Sequence, residues 1–236
     1  PMRQDPTAAK PARRIHKRGW QRRAHFVGGT SELALIQAES GLEAGCARAA
    51  DLHPKVARWR PQPFTVDLIT GLIAPTKDEL ISRIKASGQT PEPYTPDFEF
   101  QLTDGSTRLV EVRATRWIAR NPQALAAVAS AMARCGMAHV LLTELELTDA
   151  IVENARLLAP YRSRQPDPAS LSSILDQAAD GCRFGALVGD ITRREQVLIA
   201  IAGGYLACDL HRDRLTQETL LAPSRGDTAY LELISV

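Results

Sequence analysis

The chain is short of the residues that build metal or disulfide frameworks. Its four cysteines, Cys46, Cys135, Cys182 and Cys208, lie far apart with no C-x-x-C spacing. That pattern signals neither a zinc site nor a disulfide scaffold, and reduced, mostly buried thiols are the expectation. The five histidines are equally scattered, and a lone one such as His139 reads as structural rather than as a ligand. No apolar run reaches the roughly 20 residues of a membrane span, and no charged-then-apolar leader precedes a small-residue cleavage site. A cytoplasmic protein without a membrane partner is expected, with Met2, behind Pro1, as its natural start.

Net charge is also small, at +2, but it is unevenly spread. Within the first 25 residues Arg3, Lys10, Arg13, Arg14, Lys17, Arg18, Arg22 and Arg23 face the single acid Asp5, which leaves 21 basic against 26 acidic residues in the rest. Residues 1–29 therefore read as a basic arm. Such an arm neutralises phosphates without reading sequence, so Lys10, Arg13, Arg14, Lys17, Arg18, Arg22 and Arg23 are the candidate DNA contacts. A solvated tail is the alternative, with Trp20 and Phe26 as candidate anchors. The 236 residues, 44% apolar and 24% charged, leave room for one large or two modest domains.

Ser40 followed by Glu43 is a capping-box pattern, and Leu42, Cys46 and Ala49 continue at helical spacing. The pattern predicts a helix over 41–52 that ends before His53-Pro54, with capping as one role for Glu43. Phe64, Val66 and Leu68 alternate as a strand entered through Gln62-Pro63. The most informative stretch is Tyr94 to Trp117, YTPDFEFQLTDGSTRLVEVRATRW. Phe98, Phe100 and Leu102 alternate with Asp97, Glu99 and Gln101, a second strand runs over 108–114, and Asp104-Gly105 signals a hairpin turn. With 104–106 as the connection, Asp97 stands opposite Arg113 and Glu99 opposite Glu111.

Two acids on adjacent strands suit magnesium, a hard cation that takes carboxylate oxygens. Such an ion lowers the pKa of bound water and neutralises charge on a scissile phosphate. Pro96-Asp97, a spacer, then Glu111-Val112-Arg113 is similar to the PD-(D/E)xK site of restriction-endonuclease-like nucleases. Adding Ser40-Gly41-Leu42-Glu43, Pro54-Lys55-Val56, Gln62-Pro63 and Tyr94-Thr95-Pro96-Asp97 in this order, then HVLLTELEL from His139 and Asn154-Ala-Arg-Leu-Leu, most of residues 30–162 resembles TnsA, the endonuclease subunit of heteromeric cut-and-paste transposases. The resemblance implies an α/β, restriction-endonuclease-like mixed sheet flanked by helices. It implies magnesium, with manganese as substitute, held by Glu43, Asp97 and Glu111, with the main-chain carbonyl of Val112 as a further candidate, and catalysis by these acids with Arg113. It also implies double-stranded DNA at transposon ends, a TnsB-like transposase and a TnsC-like AAA+ regulator as partners.

Two features depart from that family. Residues 70–92 are longer than expected, and Thr76-x-x-Glu79 with Leu80, Ile81 and Ile84 predicts an inserted helix whose Lys77, Arg83 and Lys85 face DNA, a partner or merely solvent. Arg113 stands where lysine is usual, and a guanidinium that never deprotonates is no general base, so its remaining role is charge stabilisation. Paired instead with Asp97 or Glu111, it holds the site closed.

Further on, Asn121-Pro122 opens a helix that Gly136 stops, residues 139–143 form a short strand, and 148–161 form another helix. Ser163 to Ala169 is the expected boundary, giving domains over 30–165 and 166–236. Helices near 171–179 and 193–202, then strands over 205–210 and 215–221 around HRDR, suggest a small winged-helix domain, closed by a strand in AYLELISV. Its Arg193, Arg194, Arg212 and Arg214 face DNA or solvent, or the domain docks a partner. The sequence thus points to a magnesium-dependent nicking subunit. An inactive DNA-binding assembly subunit and a standalone defence or repair nuclease are the rivals.

Overall fold

A computed structural model describes the chain at residues 25–27, 36–38 and 40–236. The arm's Lys10, Arg13, Arg14, Lys17, Arg18, Arg22 and Arg23, with Trp20, lie outside these described residues.

A short antiparallel pair, β1 (His25–Val27) and β2 (Ile36–Ala38), leads into helix α1 (Gly41–Leu52). The Ser40 hydroxyl caps α1 by accepting from the Glu43 N–H at 3.2 Å, as the sequence pattern predicts. Next come β3 (Val56–Pro61), β4 (Thr65–Asp67), β5 (Ile73–Ala74), α2 (Lys77–Ala86) and β6 (Pro93–Tyr94). The hairpin β7 (Phe98–Leu102) and β8 (Thr107–Val112) follows, then α3 (Thr115–Ile118), α4 (Pro122–Arg134), β9 (His139–Leu142) and α5 (Asp149–Leu158).

The central sheet has the order β3-β7-β8-β9, antiparallel except for β9, which runs parallel to β8. A parallel neighbour needs a crossover, and α3 and α4 provide it. Phe98, Phe100, Val110 and Val112 join the core under α1 and α5. Leu109, on the opposite face, meets Val66 of β4 and Val128 and Met132 of α4. The architecture is α/β, a mixed sheet flanked by helices. β4 is the centre of a second small sheet, β5-β4-β6, covered by α2, whose Leu80 and Ile84 pack on Ala74. The predicted helix within 70–92 is therefore present, with Thr76 as its cap.

β3 has no clear pattern in the sequence. It is an edge strand with Arg58 and Arg60 exposed, Arg60 pairing with Glu99 at 2.8 Å. Only Trp59 is buried, edge-on to Phe98, with its indole N–H donating to Asp51 at 2.7 Å.

The hairpin is present but two residues out of the expected register. Phe98 pairs with Val110 and Glu99 with Leu109, so Asp97, one step earlier, aligns with Glu111 rather than Arg113. The turn is the cause. Gly105 adopts φ +84° and donates to the Leu102 carbonyl at 3.0 Å, while Leu102 N–H reaches Ser106 O at 2.8 Å, closing a connection of Thr103 to Gly105.

Beyond a 3₁₀ turn at Ala159–Tyr161 come α6 (Pro168–Gln177), β10 (Cys182–Arg183), α7 (Phe184–Leu187), α8 (Ile191–Ala202), β11 (Leu206–Ala207) and β12 (Leu220–Pro223). The strands form an antiparallel sheet of order β10-β12-β11. Both hairpin strands are shorter than the sequence suggests, because residues 208–219 are held by side chains rather than by a ladder. Asn154 of α5, buried, donates to the carbonyls of Leu210 and Asp213 and accepts from Leu215 N–H, at 2.9, 2.9 and 2.8 Å.

AYLELISV is not a strand. It makes a 3₁₀ turn at Ala229–Leu231, and burial of Leu231, Leu233 and Ile234 holds it. His53 fastens it, accepting from Lys55 N–H through Nδ1 and so donating from Nε2 to the Ile234 carbonyl at 3.1 Å. One continuous core joins Cys46, Phe100 and Leu142 to Ile174, Leu198 and Leu233. All four thiols are free; Cys46 and Cys208 are buried, and Cys135 and Cys182 half-buried.

Gly45 sets how closely α1 approaches α5. A Cβ there would lie 2.7 Å from Val152 Cγ2, on a β-branched side chain with little freedom to turn away. Gly45→Ala should therefore destabilise by about 1–2 kcal/mol, overpacking outweighing the roughly 0.5–1 kcal/mol that alanine gains in a helix. Denaturant unfolding checks this. Adding Val152→Ala should recover part of the loss, and a Gly45→Ala variant more stable than wild type would contradict the close packing.

Candidate active site

Asp97 stands at the start of β7, Glu111 and Val112 at the end of β8, and Glu43 in the first turn of α1, so the sheet and helix bring three carboxylates to one end of the fold. Two main-chain contacts fix Asp97. Its Oδ2 accepts from Val112 N–H at 2.8 Å, and its carbonyl accepts from Gln62 N–H at 2.9 Å. Gln62 holds φ 42°, a strained conformation for a residue with a side chain, and Pro63 follows it. The Gln-Pro pair thus shapes the site rather than merely opening a strand.

Glu111 is 2% exposed and carries both its oxygens into contacts. Oε2 accepts from the Tyr94 hydroxyl at 2.8 Å, and Oε1 pairs with the Arg113 guanidinium. Tyr94 OH also lies 3.3 Å from His139 Nε2. Since the hydroxyl gives its one proton to Glu111, the imidazole is the donor in that contact. Glu43 contributes charge while tied to the cap of α1: Ser40 Oγ donates to its Oε1 at 3.0 Å.

The charges show how closely the group is gathered. Burial pushes the Asp97 carboxyl well above the usual aspartate range, and the Glu111 and then Glu43 carboxylates push it further. The Cys46 thiol is raised by burial, then by Asp97 and Glu43. Burial raises the Tyr94 hydroxyl, with Glu111 adding to it, while burial lowers the His139 imidazole against the pull of Glu111. Buried like charges cost stability, and their clustering is characteristic of sites tuned for chemistry.

The structure thus gathers Glu43, Asp97, Glu111, Val112 and Arg113; Asp97 does not stand opposite Arg113, which instead takes the Glu111 pairing that would hold the site closed. The donors are hard oxygens of the kind that magnesium takes. Among the described residues, however, no three Asp, Glu, His or Cys side chains are spaced to hold a metal ion. Arg113 occupies Glu111 in a cation's place, and Val112 N–H occupies one oxygen of Asp97. Tyr94 and His139 are the residues that sequence reasoning missed. Tyr94 stands in the same Tyr-Thr-Pro-Asp run as Asp97, whereas His139, a lone histidine, reads only as structural. At the other end of the chain, Arg193 is spent internally, donating to Leu187 O and Gln177 Oε1, both at 2.9 Å. Among the described residues no helix is long and apolar enough to cross a membrane. Compared with known proteins, the chain matches no family model and no curated sequence.

Proposed function

We propose that the chain is a magnesium-dependent DNA endonuclease, the subunit that nicks the 5′ ends of a transposon within a heteromeric cut-and-paste transposase. The observation that carries the reading is the cluster of Glu43, Asp97 and the buried Glu111, in which Asp97 is held against two like charges. The arrangement around it supports the restriction-endonuclease-like reading: a helix, three antiparallel strands, a crossover and a parallel strand, with the acids at one end. Helix, strand, two helices and two strands from α6 to β12 support a winged-helix unit, the proposed dock for a TnsC-like AAA+ regulator. A TnsB-like transposase and double-stranded transposon ends complete the assembly.

Once Arg113 leaves Glu111 and the side chains draw together, Asp97, Glu111 and Glu43, with the Val112 carbonyl, would hold magnesium, or manganese in its place. When bound, the ion supplies an acidified water and charge neutralisation at the phosphate. Tyr94 keeps Glu111 oriented through Oε2, and Gln62 keeps the Asp97 main chain in place. Arg113 remains protonated; released from Glu111, its guanidinium turns to the charge developing on the phosphate. The ion pair thus defines a closed state that metal and DNA open.

A second reading, an assembly subunit that binds DNA without cutting it, is favoured by that same Arg113–Glu111 pair. Calorimetric titration of manganese into wild type and Asp97→Ala, each with a short nicked duplex, separates the two. Binding in wild type that Asp97→Ala loses supports the nuclease. DNA bound without any site-specific metal binding would overturn it. Arg113→Lys should retain or increase cleavage in a nuclease and show none in a scaffold.

A further inference from the structure

We infer that Arg116 and Arg120, held on the indole of Trp117, form a clamp for the DNA backbone beside the acid cluster. The clamp rests on the nuclease reading for its location but not for its existence. Four observations carry it. The Arg120 guanidinium carbon lies 4.5 Å, and that of Arg116 5.9 Å, from the centroid of the Trp117 ring. Trp117 is 44% exposed, uncommon for so large an apolar side chain unless something covers it. Among the described residues, no carboxylate forms an ion pair with either arginine. The surrounding segment, residues 112–143, contains Arg113, Arg116, Arg120 and Arg134 but no Asp or Glu, in a chain with 27 acids among 236 residues.

The platform is fixed in place. Thr115, the first residue of α3, donates its N–H to Glu144 Oε2 at 2.8 Å and its hydroxyl to Oε1 at 2.5 Å, tying α3 to the segment after β9. Arg113 stands two residues before α3 and reaches back to Glu111, so a line of cations leads from the acid cluster to Trp117. Glu144 is the acid at this surface, taken up by Thr115 with Arg116 nearby, and the remaining positive charge complements a polyanion. Continuity with the acid cluster selects the DNA strand flanking the scissile phosphate over an acidic protein. The arginines take the phosphates. Trp117 is a positioning residue: cation–π attraction, about 0.5–1 kcal/mol at an exposed site, holds the guanidinium groups in place before DNA arrives.

The test is the salt dependence of binding of the full chain to a short labelled duplex in metal-free buffer, with cleavage in magnesium followed in parallel. Each phosphate contact contributes about 0.9 to the slope of log K against log salt, so Arg116→Ala/Arg120→Ala should flatten it by about 1.8. Trp117→Leu should weaken binding through the same two contacts, and Trp117→Phe should restore it, which a purely structural role would not require. Both arginines are exposed, so the double variant should keep the wild-type melting temperature. DNA bound with an unchanged slope overturns the clamp, and wild-type cleavage in that case would leave the nuclease standing. A flattened slope in a chain that never cuts supports the clamp on a non-catalytic DNA-binding subunit.

Discussion

On the proposed nuclease reading, Asp97→Asn should abolish cleavage and, at neutral pH, leave the protein more stable than wild type. The asparagine keeps an oxygen for Val112 N–H, which Asp97 engages at 2.8 Å, so the local fold is preserved while the charge is removed. Cleavage should fall about 10³-fold or more, the several kcal/mol that a carboxylate-held metal contributes to phosphodiester hydrolysis. Stability should move the other way. The folded state raises the Asp97 pKa above its ordinary 3.8, through burial first and then Glu111 and Glu43, so the fold binds a proton there more readily than the unfolded chain does. Wild-type stability must therefore fall as pH rises from about 3.8 through the folded value, and the deficit is complete above it. The asparagine variant has no such deficit. Its melting temperature should exceed that of wild type by a few degrees at pH 8, since about 1 kcal/mol shifts a chain of this length by roughly 2–4 °C, and the gain should vanish near pH 3.8. Thermal unfolding at both pH values checks it. Lower stability at pH 8 would make Asp97 an ordinary structural acceptor.

Such opposing effects are expected wherever binding chemistry requires buried charges to be held together before their counter-ion arrives. The closed site adds a device of its own. Arg113 pairs with Glu111, so part of the repulsion around Asp97 is relieved internally, and the metal ion proposed for this site would have to compete with a guanidinium that never deprotonates. A lysine at 113 would present a smaller and more readily displaced charge.

What the sequence made legible follows from how local each signal is. Helix α1 was readable to the residue because Ser40 and Glu43 are three apart and satisfy each other without tertiary help. The acids were readable as types and as an approximate grouping, because a hairpin brings its own two strands together. Its register was not, since one hydrogen bond from Gly105 to Leu102 decides whether Asp97 meets Glu111 or Arg113. β3 escaped because an edge strand with exposed arginines lacks the apolar alternation of a half-buried one. AYLELISV misled for the opposite reason, since alternation says that side chains are buried but not that a ladder partner exists. The contact from Tyr94 to His139 joins β6 to β9 across two sheets, and no spacing in one sequence encodes it.

The same limit applies to Asn154, whose contacts with a loop about 60 residues further on are encoded by no spacing and whose replacement should have the largest effect on stability. Buried on α5, it supplies two donors and one acceptor to the loop between β11 and β12, and all three contacts lie between 2.8 and 2.9 Å. Asn154→Ala leaves two carbonyls and an N–H without that partner, the Leu210 carbonyl in a buried setting and the other two part-buried. At about 1–3 kcal/mol for an unsatisfied group, with part of the loop relaxing toward water, the cost should be about 3–4 kcal/mol, or roughly 6–16 °C in melting temperature. Asn154→Asp is the sharper test. It keeps the shape and the acceptor for Leu215 but sets a carboxylate oxygen against the carbonyls of Leu210 and Asp213, where only a donor fits. At pH 8 it should be at least as destabilised as the alanine variant despite filling the same space. Protonating the carboxyl restores one donor, so its burden should lighten as pH falls toward 4. An aspartate variant more stable than alanine at pH 8 would show that Asn154 acts by volume alone, and that the loop does not depend on its amide.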